Sequence, residues 1–88
     1  MKESKFIIGN KLGIHARPAA EIAKMAAHYK SEVILSVNNK TANAKSLILM
    51  IALGAKNGTE LVLSVNGEDE DEAFEAIGRF IVNNFNEV

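Results

Sequence analysis

Glu32-Val33-Ile34-Leu35-Ser36-Val37-Asn38-Asn39-Lys40-Thr41-Ala42-Asn43 reads as two strands folded back on one another. Val33, Leu35 and Val37 alternate with Glu32 and Ser36, a period that sends the apolar side chains to one face of a pleated strand. Asn38-Asn39 suits a tight hairpin turn, because asparagine tolerates the left-handed backbone such turns require. Thr41 to Asn43 can then pair back, so the sheet is antiparallel where it is first legible.

Upstream, Lys5-Phe6-Ile7-Ile8 reads as a strand ended by Gly9-Asn10. From Ala16 to about His28, the apolar residues Ala19, Ile22, Ala23, Ala26 and Tyr29 recur at helical spacing. Pro18 fits only a first turn, since its missing N–H would have had no partner there. Downstream, Ser46 is a natural N-cap for a short helix over Leu47 to Leu53, which Gly54 can end. Leu61, Leu63 and Val65 alternate as another strand, and Asn66-Gly67 turns the chain into a last helix that presents Ala73, Phe74, Ile77, Ile81 and Phe85 to a core. The order βαββαβα predicts an α+β open-faced sandwich: a four-stranded antiparallel sheet with three helices on one face and the other face open to water. One domain over residues 1–88 accounts for every element.

At 88 residues the chain leaves no room for a second domain around a cleft. It has no cysteine, so neither disulfides nor thiolate metal sites are available. Phe6-Ile7-Ile8 is too brief for a signal-peptide core or a membrane span, so a cytoplasmic protein with no membrane insertion is expected. Net charge is −1, but residues 1–58 carry nine basic and three acidic residues, and residues 59–88 one basic and eight acidic. Near-neutrality argues against nucleic acid as a partner, while the electropositive first two thirds suit an acidic protein surface. The acidic run Glu68 to Glu72 is explained by the dipole of the last helix, whose N-terminus favours carboxylates.

Gly13-Ile14-His15-Ala16-Arg17-Pro18 carries the chemistry. Pro18 places the helix start beside His15, where the N–H groups of Ala16 and Arg17 have no intrahelical acceptor and the dipole favours a dianion. A neutral imidazole can attack phosphorus directly, and Arg17 supplies a cation for the phosphoryl oxygens. His28 is read as a solvated helix-end residue. No metal site or cofactor is expected, because no histidine–carboxylate cluster has ligand spacing and no glycine-rich nucleotide loop follows a strand.

The histidine segment through Ala19, followed by Asn43-Ala44-Lys45-Ser46-Leu47, Leu53-Gly54 and Gly67-Glu68-Asp69-Glu70, resembles the HPr family, the histidine-containing phosphocarriers of the bacterial phosphoenolpyruvate-dependent phosphotransferase system. The resemblance implies that His15 takes a phosphoryl group at Nδ1 from phosphorylated Enzyme I and passes it to IIA components for carbohydrate uptake, with Arg17 pairing the phosphate. The protein would be a relay between enzymes, not itself a catalyst of small-molecule turnover. The resemblance also makes Ser46 a regulatory phosphorylation site, with an HPr kinase/phosphorylase and a transcriptional regulator as further partners. Leu47-Ile48-Leu49-Met50-Ile51 is apolar throughout, and about half of it is expected in the core, Met50 included. Leu47, Ile48 and Ile51, with Ala20, Lys24 and Lys45, are the expected docking residues on a monomer. Ala20, Ala27 and Leu49 are not basic, a departure from familiar sugar-branch members, and Asn10-Lys11-Leu12-Gly13 also matches a nitrogen-branch paralogue. A third reading is a Ser46-controlled interaction module in which His15 merely caps a helix.

Overall fold

The hairpin forms with Val37 opposite Lys40, joining β2 (Glu32–Val37) to β3 (Lys40–Asn43). Asn38 takes the left-handed backbone at φ 56°. The structure, a computed structural model, describes residues 1–9 and 12–85. Asn10, assigned to the end of the first strand, and Asn10-Lys11 of the proposed nitrogen-branch signature lie outside the described residues.

The remaining elements are β1 (Lys2–Ile7), α1 (Ala16–Ala27), α2 (Leu47–Ala52), β4 (Glu60–Asn66) and α3 (Glu70–Phe85). All pairings are antiparallel in the order β1-β4-β2-β3, so β4 and β2 are central and β1 and β3 form the edges. This is the four-stranded open-faced sandwich with three helices that the element order predicts.

Register decides which face is buried. Leu35 lies opposite Leu63 and Val33 opposite Val65, so the apolar sets of the two central strands share one face with Phe6 of β1 and Ala42 of β3. Ile22 of α1, Met50 of α2, and Ile77, Ile81 and Phe85 of α3 cover that face and are fully buried. Truncating such a side chain removes both transfer energy and packing, about 2–5 kcal/mol for Leu or Ile to Ala.

β1 departs from its expected bounds at both ends. It starts at Lys2, because the polar stretch Lys2 to Ser4 pairs with Val65 to Leu63 of β4 and shows no apolar alternation. Ile8 falls just beyond it, yet is fully buried, and its N–H donates to the Thr59 carbonyl at 2.9 Å.

The acidic run does more than answer the α3 dipole. Glu70, Asp71 and Glu72 occupy the first turn, but the Asp69 carboxylate accepts from the Lys30 N–H (2.9 Å), the Ser31 N–H (2.9 Å) and the Ser31 hydroxyl. It clasps the turn between α1 and β2 to the start of α3. Gly67 permits the approach, since a Cβ there would stand 2.6 Å from Ser31 Cα. The hydrogen bond from the Ser31 hydroxyl, aided by that from the Lys30 N–H, holds the Asp69 carboxyl below its ordinary value. A depressed carboxylate stabilises the fold above its unfolded pKa, about 4, and that contribution is lost as pH falls through the folded value. Asp69→Asn is therefore expected to melt lower than the parent at pH 7 and to converge with it in strong acid. A gap between the two melting temperatures that stays constant down to pH 2 would dismiss the clasp as an ionised contact.

Candidate functional site

Two contacts seat the loop that precedes α1. Gly13 is buried at φ 65°, and a Cβ at that position would run into the Ala55 carbonyl oxygen. The same oxygen accepts from the Ile14 N–H at 3.2 Å. The Ile14 side chain is buried, so the chain reaches α1 in a fixed direction.

His15 stands at the N-cap of α1 with extended backbone (φ −128°, ψ 176°), and its carbonyl accepts the first helical bond from the Ala19 N–H at 3.1 Å. Its side chain makes no capping bond. The ring is half-buried, and among the described residues it has no hydrogen-bond partner. The N–H groups of Ala16 and Arg17 lie in the first turn, where the helix offers no acceptor, and Pro18 has no N–H to satisfy. Arg17 is exposed, and its guanidinium has no ion pair among the described residues.

The three helix N-termini are handled differently. The first turn of α3 carries three carboxylates, and at α2 the Ser46 Oγ accepts from the Leu49 N–H at 3.2 Å. The first turn of α1 has no acidic residue and no side-chain cap. Of the three described helix N-termini, α1 therefore alone has neither a carboxylate in its first turn nor a side-chain cap, and it is the end that carries His15 and Arg17, an arrangement suited to a phosphate dianion. Among the described residues no cluster of three metal-ligating side chains occurs. No helix there is long and apolar enough to cross a membrane.

α2 packs against α1 and leaves most of its surface outward. Leu47, Ile48, Leu49 and Ile51 are exposed, Ile48 by 79%, and only Met50 of that run is buried. More of the run faces water than the expected half, because this short helix turns a single residue inward. Leu49 thus joins the expected patch of Leu47, Ile48 and Ile51, while Leu12, 72% exposed, lies just before the seated loop. Ala20 is half-buried and Lys24 is exposed in the last turn of α1. Lys45 is exposed as well, but its Nζ donates to the Tyr29 carbonyl at 3.1 Å and so ties the approach to α2 to the end of α1. His28 is the exposed C-cap of α1, as a solvated helix-end residue should be.

The sequence matches, over residues 2–83, the family model described as the PTS HPr component phosphorylation site. It is 40% identical over 81 residues to the phosphocarrier protein HPr of Lysinibacillus sphaericus, covering 92% of each chain. The crystal structure of HPr from Thermoanaerobacter tengcongensis superposes with a TM-score of 0.89 at 40% identity, covering 100% of this chain and 99% of that one. The Bacillus subtilis catabolite-repression protein Crh, solved as a swapped dimer, superposes with a TM-score of 0.76 at 34% identity, covering 99% of this chain and all of that one.

Proposed function

This chain belongs to the HPr family of phosphotransferase-system phosphocarriers, and on that premise we propose that His15 accepts a phosphoryl group at Nδ1 from phosphorylated Enzyme I and delivers it to IIA components. The observation that carries this reading is the state of the α1 N-terminus: a half-buried imidazole with no hydrogen bond to a described residue, beside two N–H groups and a guanidinium with no internal anion.

The neutral ring keeps its proton on Nε2 and attacks phosphorus with the Nδ1 lone pair. The P–N bond forms as the bond between phosphorus and the donor breaks. Charge on the phosphoryl oxygens is met by the Ala16 and Arg17 N–H groups and by the Arg17 side chain, so catalysis of transfer is positioning and electrostatics. The phosphoramidate stays labile, and a second acceptor takes the group without a cofactor.

Partners dock on the adjoining face, where Leu47, Ile48 and Ile51 offer an apolar centre and Ala20, Lys24 and Lys45 its surround. This face must be open for transfer, so the relaying form is a monomer. Phosphorylation of Ser46 by a kinase would put negative charge beside that centre and repel an acidic partner. The uncapped His15 ring favours a relay over a module in which the histidine only caps a helix.

Arg17→Ala tests the charge argument. Transfer from Enzyme I is expected to slow on the order of tenfold or more, since a charge-stabilising donor is lost. The melting temperature should hardly move, because Arg17 holds nothing in the described fold. Unchanged transfer, measured as single-turnover phosphorylation, would remove Arg17 from the site.

A further inference from the structure

Asparagine followed by glycine occurs twice, at Asn57-Gly58 and Asn66-Gly67, and the structure treats the two pairs unlike one another. In such a pair the glycine amide nitrogen can close on the asparagine Cγ, because no side chain on the following residue obstructs it. Closure still needs the backbone to rotate. Asn66 is bound into the ladder opposite Glu32, the Gly67 N–H donates to Glu70 Oε1 at 3.2 Å, and Gly67 is pressed on Ser31. That pair is exposed but fixed by the ladder on one side and by Glu70 and Ser31 on the other.

Asn57 and Gly58 sit in an exposed turn, and a Cβ on Gly58 would meet nothing within 4 Å. The Thr59 N–H closes the turn on the Lys56 carbonyl at 3.0 Å, and two further bonds tie the pair to the segment just past the edge strand β1. The Gly58 N–H donates to the Ile8 carbonyl at 2.6 Å, and the Asn57 amide donates to the Gly9 carbonyl at 3.3 Å. Strand ends on sheet edges open locally at low cost, which frees the glycine nitrogen without global unfolding.

We propose that Asn57 is a site of spontaneous deamidation in the folded protein, and that the product loosens the contact between this turn and residues 8–9. The Gly58 nitrogen, its proton taken by solvent base, bonds to Asn57 Cγ. The side-chain nitrogen leaves as ammonia, giving a cyclic imide. Water then opens the ring to aspartate or isoaspartate. The net change is water in, ammonia out and one added negative charge. The donor that faced the Gly9 carbonyl becomes a carboxylate, so an acceptor now opposes an acceptor and this one of the several bonds on residues 8–9 turns repulsive. The reaction requires no partner protein and stands independently of the relay.

The test is incubation of the native protein in mildly alkaline buffer, followed by peptide mapping with mass spectrometry and isoaspartate detection. Conversion is expected at Asn57, with Asn66 intact, and Asn57→Gln should lose it. An intact Asn57, or conversion led by Asn66, would overturn the assignment. The consequence is read separately in Asn57→Asp by amide hydrogen exchange. Faster exchange at Ile8 and Gly58 is expected, and rates equal to the parent would overturn the loosening.

Discussion

His15→Ala is expected to abolish phosphoryl acceptance while leaving the melting curve nearly unchanged. The two halves of that expectation have separate causes. Acceptance is lost entirely because no other described nucleophile stands at an uncompensated helix N-terminus: Ser46 is engaged as a cap, and His28 lies at the opposite end of α1. Stability is kept because the imidazole caps nothing and makes no hydrogen bond to a described residue, and substitutions away from caps, cores and bonded networks usually stay within about ±0.5 kcal/mol. A side chain kept for packing would give the reverse pattern, a lower melting temperature with acceptance intact. Incubation with phosphoenolpyruvate and Enzyme I, then electrophoresis at neutral and acidic pH, separates the two outcomes.

Gly13→Ala is expected to damage both properties. A non-glycine residue held at φ 65° costs about 1–3 kcal/mol from backbone strain alone. At this site the new Cβ also meets the Ala55 carbonyl oxygen, a backbone atom that cannot swing aside as a side chain would. The loop must lift, the Ile14 to Ala55 hydrogen bond is lost, and His15 is displaced from the N-cap position of α1. Gly54→Ala supplies the control, because Gly54 has nearly the same φ (66°) but open space around its would-be Cβ. It should cost only the strain, about 1–2 kcal/mol, with transfer retained. Equal melting temperatures and equal transfer rates in the two variants would show that the Ala55 contact does not position the histidine.

What was legible in the sequence follows from the range of each interaction. β2, β4 and the buried stripes of α1 and α3 were readable because one buried face imposes a period on the chain itself. The N-terminal half of β1 was not, since Lys2 to Ser4 pair through backbone on an edge where side chains are under no such constraint. His15, Arg17 and the Ser46 cap were readable from local rules of helix entry, and Pro18 fixed the boundary. The Asp69 clasp was hidden. Its partners Lys30 and Ser31 lie 39 and 38 positions away, and the dipole of α3 already gave the acidic run a sufficient explanation. The seating of Gly13 on Ala55 was invisible for the same reason, although a glycine two residues before His15 was a hint. Leu49 was missed because an all-apolar run carries no period from which to choose its outward side.

The central claim is that a phosphoryl group is carried on one ring nitrogen of His15. The most direct measurement is nitrogen-detected NMR of the histidine rings after incubation with phosphoenolpyruvate and Enzyme I. The account predicts phosphorus coupling and a large shift at His15 Nδ1, with both nitrogens of His28 unchanged. Phosphorus coupled to Nε2 of His15, to His28, or to no histidine while the protein gains the mass of a phosphate would contradict it.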